Sequence, residues 1–338
     1  MILLPPISLS MTIPLSVLDL APIAEGGDAG IALNNARDLA RHAERLGFNR
    51  FWMAEHHSMP GIASAATAVA LAQVAGGTST IRIGAGGIML PNHSPLQVAE
   101  QFGTLEALFP GRIDLGLGRA PGTDQAAAYA MRRNLAADAG QFPRDVVELQ
   151  SYFRPAEPGQ RVIAVPGAGF EVPLWILGSS TYGAELAAEL GLPYAFASHF
   201  APQQMMEAIA LYRARFKPST QLAAPYVMLG FNVFAADSDE EGELLATSLM
   251  QAFVALRSGN PGKLKPPLAG YAKTLPLEFR AMLRSVLSSA AIGAPATVSA
   301  ATQAFIDRTG ADELMITSQI FDHRARVKSY ELLAEAMA

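Results

Sequence analysis

The chain contains no cysteine, and that one absence removes a large share of possible chemistries. Disulfide staples, thiolate nucleophiles, iron–sulfur clusters and cysteine-ligated zinc are all excluded. Charge is also scarce: 16% of residues are Asp, Glu, Lys or Arg, and the net charge is −5. A nucleic-acid binder shows clustered Lys and Arg, so this balance speaks against such a partner. No apolar run approaches the roughly 18 residues of a membrane-spanning helix. The opening MILLPPISLSMT is apolar, yet it lacks a basic leading segment and holds Pro5 and Pro6. Residues 1–12 therefore read as a loose leader, not a targeting signal. A cytoplasmic protein with no membrane or nucleic-acid partner is expected.

Apolar side chains are plentiful, at 50% of 338 residues, enough for one large core. Short apolar runs alternate with helically spaced ones along the chain. Strands are expected at 15–20, 51–54, 81–86, 113–118, 174–177, 194–198, 227–235 and 313–317. Most are separated by helical patterns, such as Leu33, Ala36, Leu39, Ala43 and Leu46 before Gly47. A hairpin is expected over 162–172. Eight strands with intervening helices specify a (β/α)8 TIM barrel, an α/β fold, in a single domain over 1–338. The competing doubly wound sheet needs a G-x-G-x-x-G turn, and at 116–121 its third glycine is Pro121. Between strands seven and eight, 237–300 is longer than a βα unit needs and reads as an insertion. Its stretch RSGNPGKLKPPLAG, within 257–271, reads as a mobile lid.

Active sites of barrels gather at the C-terminal strand ends. Four stretches fall there: Glu55-His56-His57, Gly86-Gly87, Gly118-Arg119-Ala120-Pro121-Gly122 and Gly178-Ser179-Ser180. The glycine–serine turn opens onto a helix, where amide groups and hydroxyls form an anion site or, more plainly, an N-cap. Arg119 suits a phosphate, or else a salt bridge to Asp114 or Glu148. Gly86-Gly87 leaves room for a flat ligand, or marks a β-bulge. Glu55-His56-His57 reads as a metal set, as acid/base groups, or as rim histidines satisfied by hydrogen bonds. The metal reading is weakened because neighbouring residues of an extended chain point to different sides. Other histidines are few: His42, His93, His199 and His323.

Three blocks, AERLGFNRFWMAEHHSMPG (43–61), IRIGAGGIMLPNHSPLQVAEQFGTLEALFPGRIDLGLGRAPGTD (81–124) and LGSSTYGAELAAELGLPYAFASHF (177–200), resemble the bacterial luciferase-like family of flavin-dependent monooxygenases. The resemblance implies a TIM barrel with flavin mononucleotide (FMN) at its C-terminal mouth. It places a non-proline cis peptide at Gly86-Gly87 against the flavin ring and a phosphate clamp at Arg119, Ser179 and Ser180, with Gly178 among the cofactor-binding residues. It puts Glu55 and His56 at the reactive side of the ring, with His56 as base and no metal. It implies a homodimer that takes reduced FMN from a separate NAD(P)H:flavin reductase and uses O2 to oxygenate a small organic substrate. Related families run deazaflavin- or nicotinamide-linked hydride transfer on this barrel, and a non-catalytic flavin-binding protein is a third reading. Gly118 stands where luciferase proper has a cysteine, and Ser179 where it has a glutamate. Both departures speak against light emission and a long-chain aldehyde substrate.

Overall fold

The computed structural model describes residues 13–119, 130–131 and 139–338. The leader (1–12) and Ala120, Pro121 and Gly122 lie outside the described residues. The strands are β1 (Leu15–Asp19), β2 (Arg50–Met53), β3 (Arg82–Met89), β4 (Ile113–Gly118), β5 (Leu174–Gly178), β6 (Tyr194–Phe196), β7 (Val227–Ala235), β8 (Ala290–Gly293) and β9 (Glu313–Thr317). Pairing runs from β1 through β7 and then through β9 back to β1, every pair parallel, so eight strands close a barrel. Register is set by partners such as Val17 with Phe51 and with Ile316.

Helices cover the outside of the barrel. They are α1 (Ala29–Arg45), α2 (Thr67–Ala75), α3 (Pro95–Leu108), α4 (Phe142–Phe153), α5 (Thr181–Leu190), α6 (Met205–Arg215), α7 (Asp239–Arg257), α8 (Tyr271–Thr274), α9 (Leu277–Val286), α10 (Pro295–Thr309) and α11 (His323–Ala336). In α1 the Asp28 carboxylate accepts from the Ile31 amide at 2.8 Å and caps the helix start. Its buried face, Ala32, Ala36, Leu39, Ala40 and Ala43, is mostly alanine, so the helix lies close to the sheet.

Two stretches differ from the sequence reading. No hairpin forms at 162–172: Val165-Pro166 is cis, Gly167 and Gly169 have φ of 153° and 84°, and Val162 and Val165 face solvent. Proline and positive φ favour a turn over a ladder there. The unexpected strand is β8, which pairs with the far half of β7, from Asn232↔Ala290 to Ala235↔Gly293. It lies in the connection between β7 and β9, which also holds α7 to α10. Nor is 257–271 free of the body. The Leu264 amide donates to Ile23 O at 2.9 Å, and Leu264 O accepts from the Glu25 amide at 2.7 Å. Lys263 Nζ donates to Gly27 O at 2.7 Å, and Leu264 is buried.

Alternation along the strands sorts side chains into two sets. Val17, Phe51, Leu115 and Ile316 pack outward beneath the helices. Leu18, Trp52, Trp175, Met228 and Met315 pack inside the barrel. Gly84 serves this interior: a Cβ there would stand 2.6 Å from Trp52 Nε1 and 2.7 Å from Asp114 O. At the N-terminal strand ends the floor is ionic. Arg50 donates to Asp114 at 2.7 Å and to Glu313 at 3.0 Å, and Arg82 donates to Asp114 at 2.6 Å. Trp52 Nε1 also donates to Asp114 at 3.2 Å, Tyr226 OH to Glu313 at 2.8 Å, and Ser16 to Glu313. Both carboxylates are fully buried, and their charges hold the Arg50 guanidinium above its ordinary pKa despite its own burial. Removing a partner from a buried ion pair strands an uncompensated charge. Arg50→Ala is expected to cost about 3–5 kcal/mol of unfolding free energy, measured by urea denaturation.

Candidate active site at the barrel mouth

Just past β2 the chain stays extended, so Glu55 and His57 share one side and His56 takes the other. Glu55 is 2% exposed, and three donors satisfy it. His57 Nε2 lies 2.5 Å and His93 Nε2 2.7 Å from its Oε1, while the Met89 amide donates to Oε2 at 2.9 Å. Burial alone would push the carboxyl up. The hydrogen bonds from His93, His57 and Met89 outweigh it and hold Glu55 below its ordinary range. Ser64 braces the approach by donating to Ala54 O at 2.5 Å and Leu20 O at 3.1 Å.

Candidate ligand atoms of Glu55, His57 and His93 all lie within 4.8 Å of one another, and two imidazoles with one carboxylate are a set of the kind that ligates metals. Here both imidazole nitrogens converge on a single carboxylate oxygen at 2.5 and 2.7 Å. Ligands at about 2.0–2.2 Å from a central ion stand farther apart than that. The arrangement is one of hydrogen bonds.

His56 faces away from this cluster. Burial holds its pKa down, the neighbouring His57 adds to that, and the Glu55 charge opposes it. The net direction leaves a neutral imidazole at pH 7, the form that accepts a proton. Across the mouth, past β6, stands His199. Burial, with a smaller push from His56, lowers its pKa to about 4. Its Nδ1 is enclosed and without a hydrogen-bond partner, and Asn232 Nδ2 donates to its carbonyl at 2.7 Å.

The Gly86-Gly87 peptide is cis, at the position the family resemblance indicates. The two glycines also answer to the barrel itself. A Cβ on Gly86 would stand 2.8 Å from Leu18 Cδ1, and one on Gly87 would stand 2.7 Å from Gly116 O. One strand along, Arg119 follows β4 and is exposed, with its guanidinium 4.0 Å from the ring centroid of Tyr182. The salt bridges weighed for it do not form: Asp114 is taken by Arg50 and Arg82, and Glu148 accepts from Tyr152 OH at 2.9 Å. Gly178 ends β5, Ser179 is exposed, and Ser180 sits at the N-cap of α5 without a side-chain cap bond. The first amides of α5 therefore keep their donors, beside the Arg119–Tyr182 stack. Tyr194 OH fixes the turn by donating to Ser180 O at 3.0 Å.

The structure thus brings Glu55, His56, Gly86, Gly87, Arg119, Gly178, Ser179 and Ser180 to the C-terminal ends of β2, β3, β4 and β5. Sequence reasoning gave His93 and His199 no site role. Each follows a strand end, and that position was the available signal.

A closed parallel barrel with this rim is an α/β enzyme scaffold. Residues 13–313 match the family described as luciferase-like monooxygenase, and the chain belongs to it. A luciferase-like monooxygenase of Escherichia coli (strain K12) is 52% identical over 321 residues, covering 95% of this chain and 96% of its own. The N-acetyl-S-alkylcysteine monooxygenase of Bacillus subtilis (strain 168) is 36% identical over 253 residues, covering 73% and 75%. The structure of apo-MsnO8 superimposes with a TM-score of 0.84 at 36% identity, covering 96% of this chain and 98% of that one. Two structures share the fold alone. The oxygenating constituent of 3,6-diketocamphane monooxygenase from Pseudomonas putida, in complex with FMN, has a TM-score of 0.71 at 18% identity, covering 97% and 98%. An F420-dependent secondary alcohol dehydrogenase has 0.69 at 15%, covering 97% and 100%. Among the described residues, no helix is long and apolar enough to cross a membrane.

Because the folded pKa of Glu55 is depressed, its contribution to stability is present above the unfolded value of about 4.3 and lost as pH falls through the folded one. Glu55→Gln is expected to cost about 1.5–3 kcal/mol at pH 7. The gap to wild type should narrow as pH drops below about 4.3, followed by urea unfolding at each pH.

Proposed function

We propose that the chain is an FMN-dependent monooxygenase that oxygenates a small organic substrate with O2. Reduced FMN would come from a separate NAD(P)H:flavin reductase. The carrying observation is the division of the mouth. A neutral imidazole at His56 lies on the β2 side. On the β4–β5 side a helix start with free amides lies beside Arg119, a cation with no carboxylate partner among the described residues. An aromatic cofactor with a phosphate tail fits that division. Arg119, Ser179, Ser180 and the first amides of α5 would hold the phosphate, and the Gly86-Gly87 backbone would lie against the ring. When bound, reduced FMN supplies the electrons that activate O2. The protein then has three tasks: to orient the ring, to exclude water and to manage a proton at His56. The segment 257–271, strapped to the loop after β1, would contribute to water exclusion.

O2 uptake with chemically reduced FMN, coupled to an oxygenated product, tests the reading. Substrate turnover that proceeds without O2 on a deazaflavin or nicotinamide would replace it with hydride transfer, and flavin binding without any turnover would leave a binding protein. Two variants separate the halves of the site. Arg119→Ala is expected to weaken FMN binding about ten- to a hundred-fold and leave riboflavin affinity unchanged, read by fluorescence titration. Equal weakening of both would make Arg119 structural. His56→Ala should keep flavin bound while product formation slows by about 10²–10⁴. Neither chelator nor added zinc should alter the wild-type rate, and activity lost to chelator and restored by metal would return the Glu55 cluster to a metal role.

A further inference from the structure

We propose that His199 is a substrate-binding residue that donates its Nε2–H to an acceptor oxygen of the organic molecule held in the mouth. The inference rests on the oxygenase reading only in taking the mouth as the substrate site.

Three observations carry it. First, the His199 ring closes onto Gly230 of β7. A Cβ at Gly230 would stand 2.1 Å from His199 Nδ1, so that nitrogen abuts the glycine's α-hydrogen. Nδ1 is also enclosed and without a partner. A proton on it would be a buried N–H with no acceptor, whereas a bare lone pair tolerates a C–H neighbour better. The proton of the neutral ring therefore belongs on Nε2.

Second, Nε2 is the nitrogen left free. His199 makes no ring hydrogen bond among the described residues and is half-buried, and Nδ1 alone of its two nitrogens is sealed. Its backbone is pinned by Asn232, and its ring packs edge-on against Phe200 with centroids 5.1 Å apart. The donor is therefore held in one direction. Third, enclosure and the nearby His56 keep His199 uncharged near neutral pH. A neutral imidazole that polarises an oxygen without giving up a proton is a known device of barrel enzymes. The ligand class follows: a small molecule with a carbonyl-type oxygen. His56 and His199, on opposite sides, then divide the work between proton transfer and substrate orientation.

The experiment has two arms. In protein labelled with 15N-histidine and free of flavin, long-range 1H–15N spectra should show His199 as the Nε2–H tautomer, without titration from pH 6 to 8. An Nδ1–H tautomer, or a titration inside that range, would overturn the proposal. In the second arm, ligand-observed NMR compares cyclohexanone with methylenecyclohexane, which has the same shape but no acceptor oxygen. Wild type should favour the ketone by about tenfold, one hydrogen bond's share. His199→Leu should abolish the preference, and His199→Gln, whose amide reaches the Nε2 position, should restore most of it. No preference in wild type, or one that survives in His199→Leu, would sink the idea. Because neither arm needs turnover, failure of the oxygenase reading would appear separately, as absent O2 uptake in the wild type.

Discussion

Arg50, held between two buried carboxylates, is the interaction on which the rest of the molecule depends. With Arg82, Trp52, Tyr226 and Ser16 it links β1, β2, β3, β4, β7 and β9 from inside the barrel floor. Most rim residues discussed near β2, β3, β4 and β7 stand four to six residues along the chain from a floor contact. Arg50 precedes Glu55 and His56, Arg82 precedes Gly86 and Gly87, Asp114 precedes Arg119, and Tyr226 precedes Gly230. At about 3.3 Å per residue, fixing the floor fixes rim heights some distance away. A slip of one residue would turn each of these side chains to the wrong face.

The two ends of the barrel use carboxylates in different ways. Asp114 and Glu313 are balanced by the guanidinium cations of Arg50 and Arg82. Glu55 is balanced by two imidazoles and one amide, all through hydrogen bonds. The ionic bonds of the floor are separated along the strands from the histidine–carboxylate hydrogen bonds of the mouth. His56 also sits apart from the Glu55 hydrogen-bond set, so its proton affinity is tuned by burial more than by a partner.

Much of this was legible in the sequence, and the remainder has physical reasons. The barrel strands are apolar on both faces, because helices cover one and the packed interior the other, so they stand out as short apolar runs. The strand AAIG of β8 has too little bulk to show periodicity. The stretch 162–172 looked like paired strands by its valines, but Pro166, Gly167 and Gly169 had the stronger claim on the backbone. Glu55-His56-His57 stood out as a cluster because its residues are adjacent. His93 reaches Glu55 across 38 positions, and His199 meets Gly230 only through the closure of β6 on β7, so neither relationship has a local trace. The glycines at 86 and 87 were read as room for a ligand or as a β-bulge; the β3–β4 register does shift between Ala85 and Ile88, and their nearest constraints are Leu18 and Gly116 inside the barrel.

The strap formed by residues around Leu264 has an energetic consequence of its own. Two backbone hydrogen bonds to Ile23 and Glu25, one lysine contact and one buried leucine hold it to the loop after β1. From α7, Gln251 Nε2 donates to Pro266 O and Thr247 Oγ1 accepts from the Leu268 amide, both at 2.8 Å. Backbone bonds of this sort contribute about 0.5–1.5 kcal/mol each, far less than the whole fold. Opening the strap alone would therefore break fewer contacts than unfolding the barrel. Attachment of the strap and durability of the scaffold become two independently adjustable properties of one chain.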